Sequence, residues 1–343
     1  MYFLTGIQAL CPPQGETMKI AFHGANAANF LTGFEELLSG SHLIRPLSDE
    51  LSEPAERKYF QEAEVVVGTS LTNVQPSPAQ ARLYQVAGAG YDGIDFSCIP
   101  PNCAVCNCFG HEEAITEYVM SAVLTKYVPL AAADKKLRKG EWDYQAGRPE
   151  GLRRECSGTA IGIVGYGHIG SGVARRAKIF NMEVHVANRS TLIGDDIVDY
   201  YYPLADLHTF LASVDVVVTA LPLSDETSGL IDQRAFAAMR PDSLIINVGR
   251  GPVIEEKALY EALEQKQIGG AVIDTWYVYP KEAHDTPYPG NYPFHTLDNI
   301  IITPHMSGWT WGTIRRRQEV MAENIHRLGK GEPLLNIVKS GAY

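Results

Sequence analysis

The sequence predicts an α/β protein with two doubly wound parallel sheets, the first assembled from two separate stretches of chain. Three observations predict it. Short apolar runs alternate with helical stretches along nearly the whole chain. One continuous, β-branched run ending at Val164 meets glycines at G-x-G-x-x-G spacing, Gly165, Gly167 and Gly170, and continues as a helix. A last amphipathic stretch, about 313–328, has no strand after it and is expected to return to the first domain.

Taken in order, the strand-like pieces of the first half are 19–23, 42–44, 65–67, 83–87 and 104–106, with helices expected over 27–38 and 54–62. Residues 112–130 carry few breakers before Pro129 and predict one long helix bridging the domains. After the glycine turn come a helix over 171–180 and strands over 184–187, 214–220, 243–248, 270–274 and 299–303. Helices over 204–212, 232–239 and 255–265 fit between them. The expected domains are 18–115 plus 304–343, and 116–303; residues 1–17 read as a flexible extension or a start-site artefact.

A chain of 343 residues has room for two cores, and 45% apolar with 20% charged residues is a globular composition. The formal net charge of −11 argues against nucleic acid as a partner, and no apolar run reaches membrane-spanning length. Six cysteines at this size point to a reducing cytoplasm rather than a disulfide framework. Cys103, Cys106 and Cys108 lie close together, but they fall on a strand-like run and lack zinc-finger spacing, so no metal is expected.

Ligands of doubly wound sheets sit beyond the carboxyl ends of the strands. Three such ends carry chemistry. Gly249-Arg250-Gly251 follows one strand, Asp274 closes the next, and Pro304-His305 follows the last. A guanidinium offers forked donors to a carboxylate and its neighbouring carbonyl, and an imidazole exchanges an alcohol proton near neutrality. Each also has a plainer reading, as a surface cation, a helix cap or a strand-end histidine. At the glycine turn, Gly165 allows the bend, Gly167 lets a pyrophosphate approach, and Gly170 lets the Rossmann-like helix pack on its strand.

From about Met18 onward the chain resembles the D-isomer-specific 2-hydroxyacid dehydrogenases, related to glyoxylate/hydroxypyruvate reductases, phosphoglycerate dehydrogenases and formate dehydrogenases. The residues that carry the resemblance are Val86-Ala-Gly-Ala-Gly-Tyr-Asp92, Gly165-Tyr-Gly-His-Ile-Gly170, Leu221-Pro-Leu-Ser-Asp-Glu-Thr227, Asn247-Val-Gly-Arg-Gly251 and Thr303-Pro-His-Met-Ser-Gly308. The resemblance implies a cleft between two Rossmann-like domains and dimerisation through the cofactor domain. It implies that Arg250 binds substrate and polarises its carbonyl, that His305 is the acid/base, and that backbone amides around Ala89 and Gly90 hold the substrate carboxylate. Asp274 would meet the nicotinamide carboxamide. His168, Ile169, Leu221, Pro222, Thr227, Val248, Gly249, His305 and Gly308 complete the implied cofactor contacts, and Ser70 and Trp309 the substrate contacts.

Two positions depart from the family pattern. Five residues after Asp274, where the family places a glutamate that pairs with the catalytic histidine, stands Tyr279. Related formate dehydrogenases carry glutamine there, so a neutral partner is tolerated; Glu282 is out of register behind Pro280. A phenol orients an imidazole without stabilising its cation, so His305 is expected to titrate lower than in glutamate-bearing relatives. The second departure is Asn188-Arg189-Ser190, where an acidic residue ordinarily accepts from an adenosine ribose. With no carboxylate there, NADP(H) is expected over NAD(H). Residues 276–311 are rich in aromatics, expected either to wall a pocket for a bulky 2-keto acid or to pack on a partner subunit. The reaction expected is reduction of a 2-keto acid to the D-2-hydroxy acid. The alternatives are oxidation of a small anion such as formate or phosphite, or a dinucleotide-sensing module without turnover.

Overall fold

The computed structural model describes residues 17–191, 195–280 and 284–341; Glu282 and nearly all of the 1–17 extension lie outside them. The chain divides into two compact units, Met1–Gly110 with Trp311–Tyr343, and His111–Thr310.

The first unit holds a six-stranded sheet. Its strands are β1 (Lys19–His23), β2 (Leu43–Leu47), β3 (Val65–Gly68), β4 (Leu83–Val86), β5 (Ala104–Cys106) and β13 (Ile337–Lys339), in the order β13-β5-β4-β3-β1-β2. All neighbours are parallel except β13, which pairs antiparallel with β5. Pro46 is accommodated because β2 is an edge, where a missing N–H leaves no ladder bond unmade. The helix Trp311–Lys330 buries Met321, Ala322, Ile325 and Leu328 on one face of this sheet. A strand does follow it: three residues of β13, too short to register as an apolar run. The helix expected over 27–38 is only a turn, Ala25–Ala28, and a 3₁₀ turn, Glu35–Leu37, since Gly33 between them turns left-handed at φ 74°.

The second unit holds seven parallel strands. They are β6 (Ala160–Val164), β7 (Glu183–Asn188), β8 (Tyr200–Pro203), β9 (Val216–Thr219), β10 (Leu244–Asn247), β11 (Gly270–Ile273) and β12 (Ile300–Ile302), in the order β12-β11-β10-β9-β6-β7-β8. The order reverses at β6, whose carboxyl end is the glycine turn, so the chain diverges there to either side. The central strands are buried along their length, as strands covered by helices on both faces must be. The edge strand β8, read as Tyr-Tyr-Tyr-Pro, is partly exposed and carries no apolar signature.

The long helix is shorter than expected, Glu112–Tyr127, because Pro129 disfavours helical backbone at Val128; a second helix starts at Leu130. It does not serve as a free bridge. Its buried face, including Ile115, Val119 and Val123, belongs to the core of the second unit, beside the helix His168–Ile179. Cys103, Cys106 and Cys108 are buried, and burial pushes each thiol up to about 12. They act as small apolar residues of the first unit's core.

Candidate active site

The glycine turn has three different reasons for three glycines. Gly165 takes φ 96°, and a Cβ there would come within 2.7 Å of Leu221. A Cβ on Gly170 would stand 2.2 Å from the Gly165 carbonyl oxygen, so only glycine lets the helix start this close to the strand. Around Gly167 there is open space within 4 Å. That is the arrangement a pyrophosphate needs, with an unobstructed backbone at the positive end of the helix His168–Ile179.

After β7, the Asn188 amide Nδ2 donates to the Ser190 carbonyl at 2.9 Å, and its Oδ1 accepts from the Tyr166 amide at 3.4 Å. Asn188 thus ties the turn after β7 to the glycine turn. Arg189 makes an exposed pair with Glu226, Nη1 to Oε2 at 3.1 Å. Thr227, next in sequence, is buried and donates to the Pro222 carbonyl at 2.7 Å, holding the loop after β9.

Arg250 stands where two backbones nearly touch. A Cβ on Gly249 would lie 2.6 Å from the Leu221 carbonyl oxygen, and one on Gly251 would lie 2.3 Å from that of Trp276. The backbone between them is held from below. The buried Asn247 donates through Nδ2 to the Arg250 carbonyl at 3.1 Å, while its Oδ1 accepts from Thr219 Oγ1 at 2.8 Å and from the Gly249 amide at 3.1 Å. Val248 is buried, with its amide on the Thr219 carbonyl at 3.2 Å.

His305 adopts φ 57°, the left-handed region that a β-substituted residue enters only when its surroundings hold it there. The holder is Asp274. Fully buried at the end of β11, its Oδ1 accepts from Thr303 Oγ1 at 2.6 Å and from the Met306 amide at 2.9 Å; its Oδ2 accepts from the Ser307 amide at 2.9 Å. Thr303 directs its hydrogen to the carboxylate, so the Tyr118 hydroxyl, 2.7 Å away, is the donor to Thr303. Burial raises that phenol to about 12, and it stays protonated for the purpose. The carboxylate therefore clamps the residues on both sides of His305. Gly308 closes the turn against the helix Glu112–Tyr127, where a Cβ would press on His111 and Ile115.

Tyr279 reaches the imidazole: its hydroxyl lies 3.1 Å from His305 Nδ1 and accepts from the Trp276 amide at 3.0 Å. Burial pushes this phenol up, against the smaller downward pulls of the Trp276 amide and of Arg250, so it is neutral near pH 7. Arg250, Tyr279 and His305 thus stand together beyond adjacent strands β10, β11 and β12 of one sheet.

The aromatic stretch divides between core and surface. Trp276 and Phe294 are buried in the second unit's core with Tyr277 and Tyr292 against them, and the Tyr277 hydroxyl donates to the Ile254 carbonyl at 2.9 Å. Trp309 is half exposed. In the first unit, Ser70 is exposed after β3 and its carbonyl accepts from the Tyr84 hydroxyl at 3.0 Å, while Leu71 is wholly buried. Ala89 and Gly90 lie half buried after β4. Sequence reasoning missed part of the supporting layer: Thr219 and Tyr118 are ordinary residues in an ordinary strand and helix, and only the folded chain brings them to Asn247 and Thr303.

The family described as the NAD binding domain of D-isomer specific 2-hydroxyacid dehydrogenases matches residues 120–307. The D-3-phosphoglycerate dehydrogenase of Archaeoglobus fulgidus is 31% identical over 80% of this chain and 51% of its own length. The glyoxylate reductase of Pyrococcus furiosus is 32% identical over 64% of this chain and 63% of its own. The chain thus spans about half to under two thirds of these relatives. A crystal structure of a D-isomer specific 2-hydroxyacid dehydrogenase family protein from Aeromonas salmonicida has the same fold, with a TM-score of 0.77 at 24% identity, covering 94% of this chain and 99% of that one. Among the described residues no helix is long and apolar enough to cross a membrane.

Proposed function

The chain belongs to the D-isomer-specific 2-hydroxyacid dehydrogenase family, and from that premise we propose that it interconverts a 2-keto acid and the D-2-hydroxy acid. The observation that carries the proposal is the grouping of a guanidinium, a neutral phenol and a clamped imidazole at three neighbouring strand ends of the glycine-turn sheet. Arg250 binds the substrate and polarises its carbonyl. His305 gives its proton to the carbonyl oxygen as that oxygen becomes an alcohol, and takes it back in the reverse direction. Tyr279 orients the imidazole through Nδ1. In the first unit the amides of Ala89 and Gly90, with Ser70, are the proposed carboxylate donors; Trp309 is a proposed substrate contact.

The open backbone at Gly167 fits a dinucleotide, whose nicotinamide supplies the hydride when bound. Gly165, His168, Ile169, Gly170, Leu221, Pro222, Thr227, Val248, Gly249 and Gly308 are its proposed neighbours. Asp274 is proposed to act mainly on the His305 turn, since each of its oxygens already accepts from that turn. NADP(H) is proposed over NAD(H). Asn188, Arg189 and Ser190 present no carboxylate to a 2′-phosphate, and Arg189 would exchange Glu226 for it. A homodimer in the cytoplasm completes the reading.

The test is NADPH oxidation over 2-keto acids of graded size, with formate and phosphite assayed against NADP⁺, repeated with His305→Ala. Keto-acid reduction that falls by about 10²–10⁴-fold in the variant supports the proposal. Oxidation of either small anion that survives the substitution supports the rival chemistry, for which a neutral Tyr279 is no handicap. Tight cofactor binding without any turnover supports the non-catalytic alternative.

A further inference from the structure

The loop after β4 is held in a way that the carboxylate role proposed for Ala89 and Gly90 does not by itself require. Three successive carbonyls are each anchored. That of Ala87 accepts from Arg317 Nη1 at 3.3 Å, that of Gly88 from the Cys108 amide at 3.0 Å, and that of Ala89 from Asn107 Nδ2 at 2.7 Å. In a trans peptide the carbonyl and the following N–H point in opposite directions. Anchoring the carbonyls of 87, 88 and 89 therefore turns the amides of Gly88, Ala89 and Gly90 away from the anchors. Among the described residues none accepts from these three amides.

Of the three anchors, Asn107 acts last, on the peptide whose amide belongs to Gly90. It is also the only uncharged side chain among them. It is 6% exposed, directly after β5, and its own amide is tied to the Asn336 carbonyl at 3.1 Å, so it donates from a fixed position. We propose that Asn107 is a positioning residue that aims the Gly90 amide at the substrate carboxylate by pinning the far end of the same peptide. It touches no substrate. This rests on the reading of the preceding section, that an acid binds at Ala89 and Gly90.

The test compares each 2-keto acid with its neutral carboxamide: glyoxylate, pyruvate and phenylpyruvate with the corresponding 2-oxo amides. In Asn107→Leu, kcat/KM for the acids is expected to fall about 10–100-fold, mostly through KM. The carboxamides should lose less than about threefold, and NADPH affinity should stay within about twofold. Asn107→Asp keeps the shape but sets an acceptor against the Ala89 carbonyl; it is read the same way should the leucine variant not fold, with a larger loss for the acids. Equal losses on acids and amides, or no loss on either, overturn the role of Asn107 while leaving the keto-acid reading in place. A wild-type protein that reduces none of the acids overturns that reading and this inference with it.

Discussion

Two turns leave the carboxyl edge of the same sheet, and they are held in opposite ways. The turn after β12 carries His305 and is gripped by a buried carboxylate with three donors on it. The turn after β7 carries Arg189, whose guanidinium meets Glu226 in a pair that is 79% and 72% exposed. Charge-assisted bonds away from water hold a geometry firmly, whereas an exposed ion pair contributes little and exchanges readily. The difference teaches how one sheet edge serves two demands. On the proposed roles, the group that must meet a proton acceptor within a fraction of an ångström is the clamped one, and the group proposed to select a charged ligand is left able to change partners.

Breaking the clamp is the severest test of that comparison. Asp274→Asn replaces an acceptor with a donor opposite an amide or hydroxyl that also donates, so the His305 turn loses its hold. The expected result is a fall in kcat of about 100-fold or more, because small displacements of a reacting group are that costly. Cofactor affinity, measured by fluorescence titration, should change far less; a loss confined to cofactor affinity would return Asp274 to the nicotinamide role that the resemblance implied.

A smaller effect separates holding from charging. Tyr279 is a neutral phenol that burial pushes further from ionising, so at this hydrogen bond the imidazole meets a dipole rather than a carboxylate. Tyr279→Glu supplies the anion and stabilises the imidazolium. Reduction needs that proton and fails as pH rises past the pKa of His305, so the alkaline limb of the kcat/KM profile should move up by about 1 unit or more. Overlaid profiles for the variant and the wild type would mean that Tyr279 only packs.

The exposed turn should respond least, and only with one cofactor. Arg189→Ala is expected to lower kcat/KM for NADPH by about tenfold and to leave NADH unchanged. Glu226→Gln removes the competitor for the guanidinium and should improve NADPH use by no more than about threefold, an effect that added salt erases. An NADH preference in the wild type would sink the proposed cofactor assignment.

What could be read from residues alone divides along the same line. The glycine turn, Arg250 and His305 announce themselves because short-range constraints, a positive φ, a forbidden Cβ or a cation between glycines, leave marks in consecutive residues. The buried parallel strands do so through unbroken β-branched runs such as 216–219. Short edge strands escaped notice: Tyr200–Pro203 and Ile337–Lys339 are half exposed, with no apolar run to betray them. The aromatics after Asp274 look like a pocket wall in one dimension, but Trp276 and Phe294 pack into the core. Asn107 and Tyr118 were illegible for a different reason. Their work depends on partners 18 and 185 positions away, a relation that only folding creates.

The left-handed backbone at His305 has one further consequence. Glycine or asparagine would occupy that conformation with less steric penalty than an imidazole-bearing residue, so either replacement should raise the melting temperature while abolishing proton transfer. Selection for heat resistance alone would erode this codon, and its retention under such pressure would itself be a record of turnover.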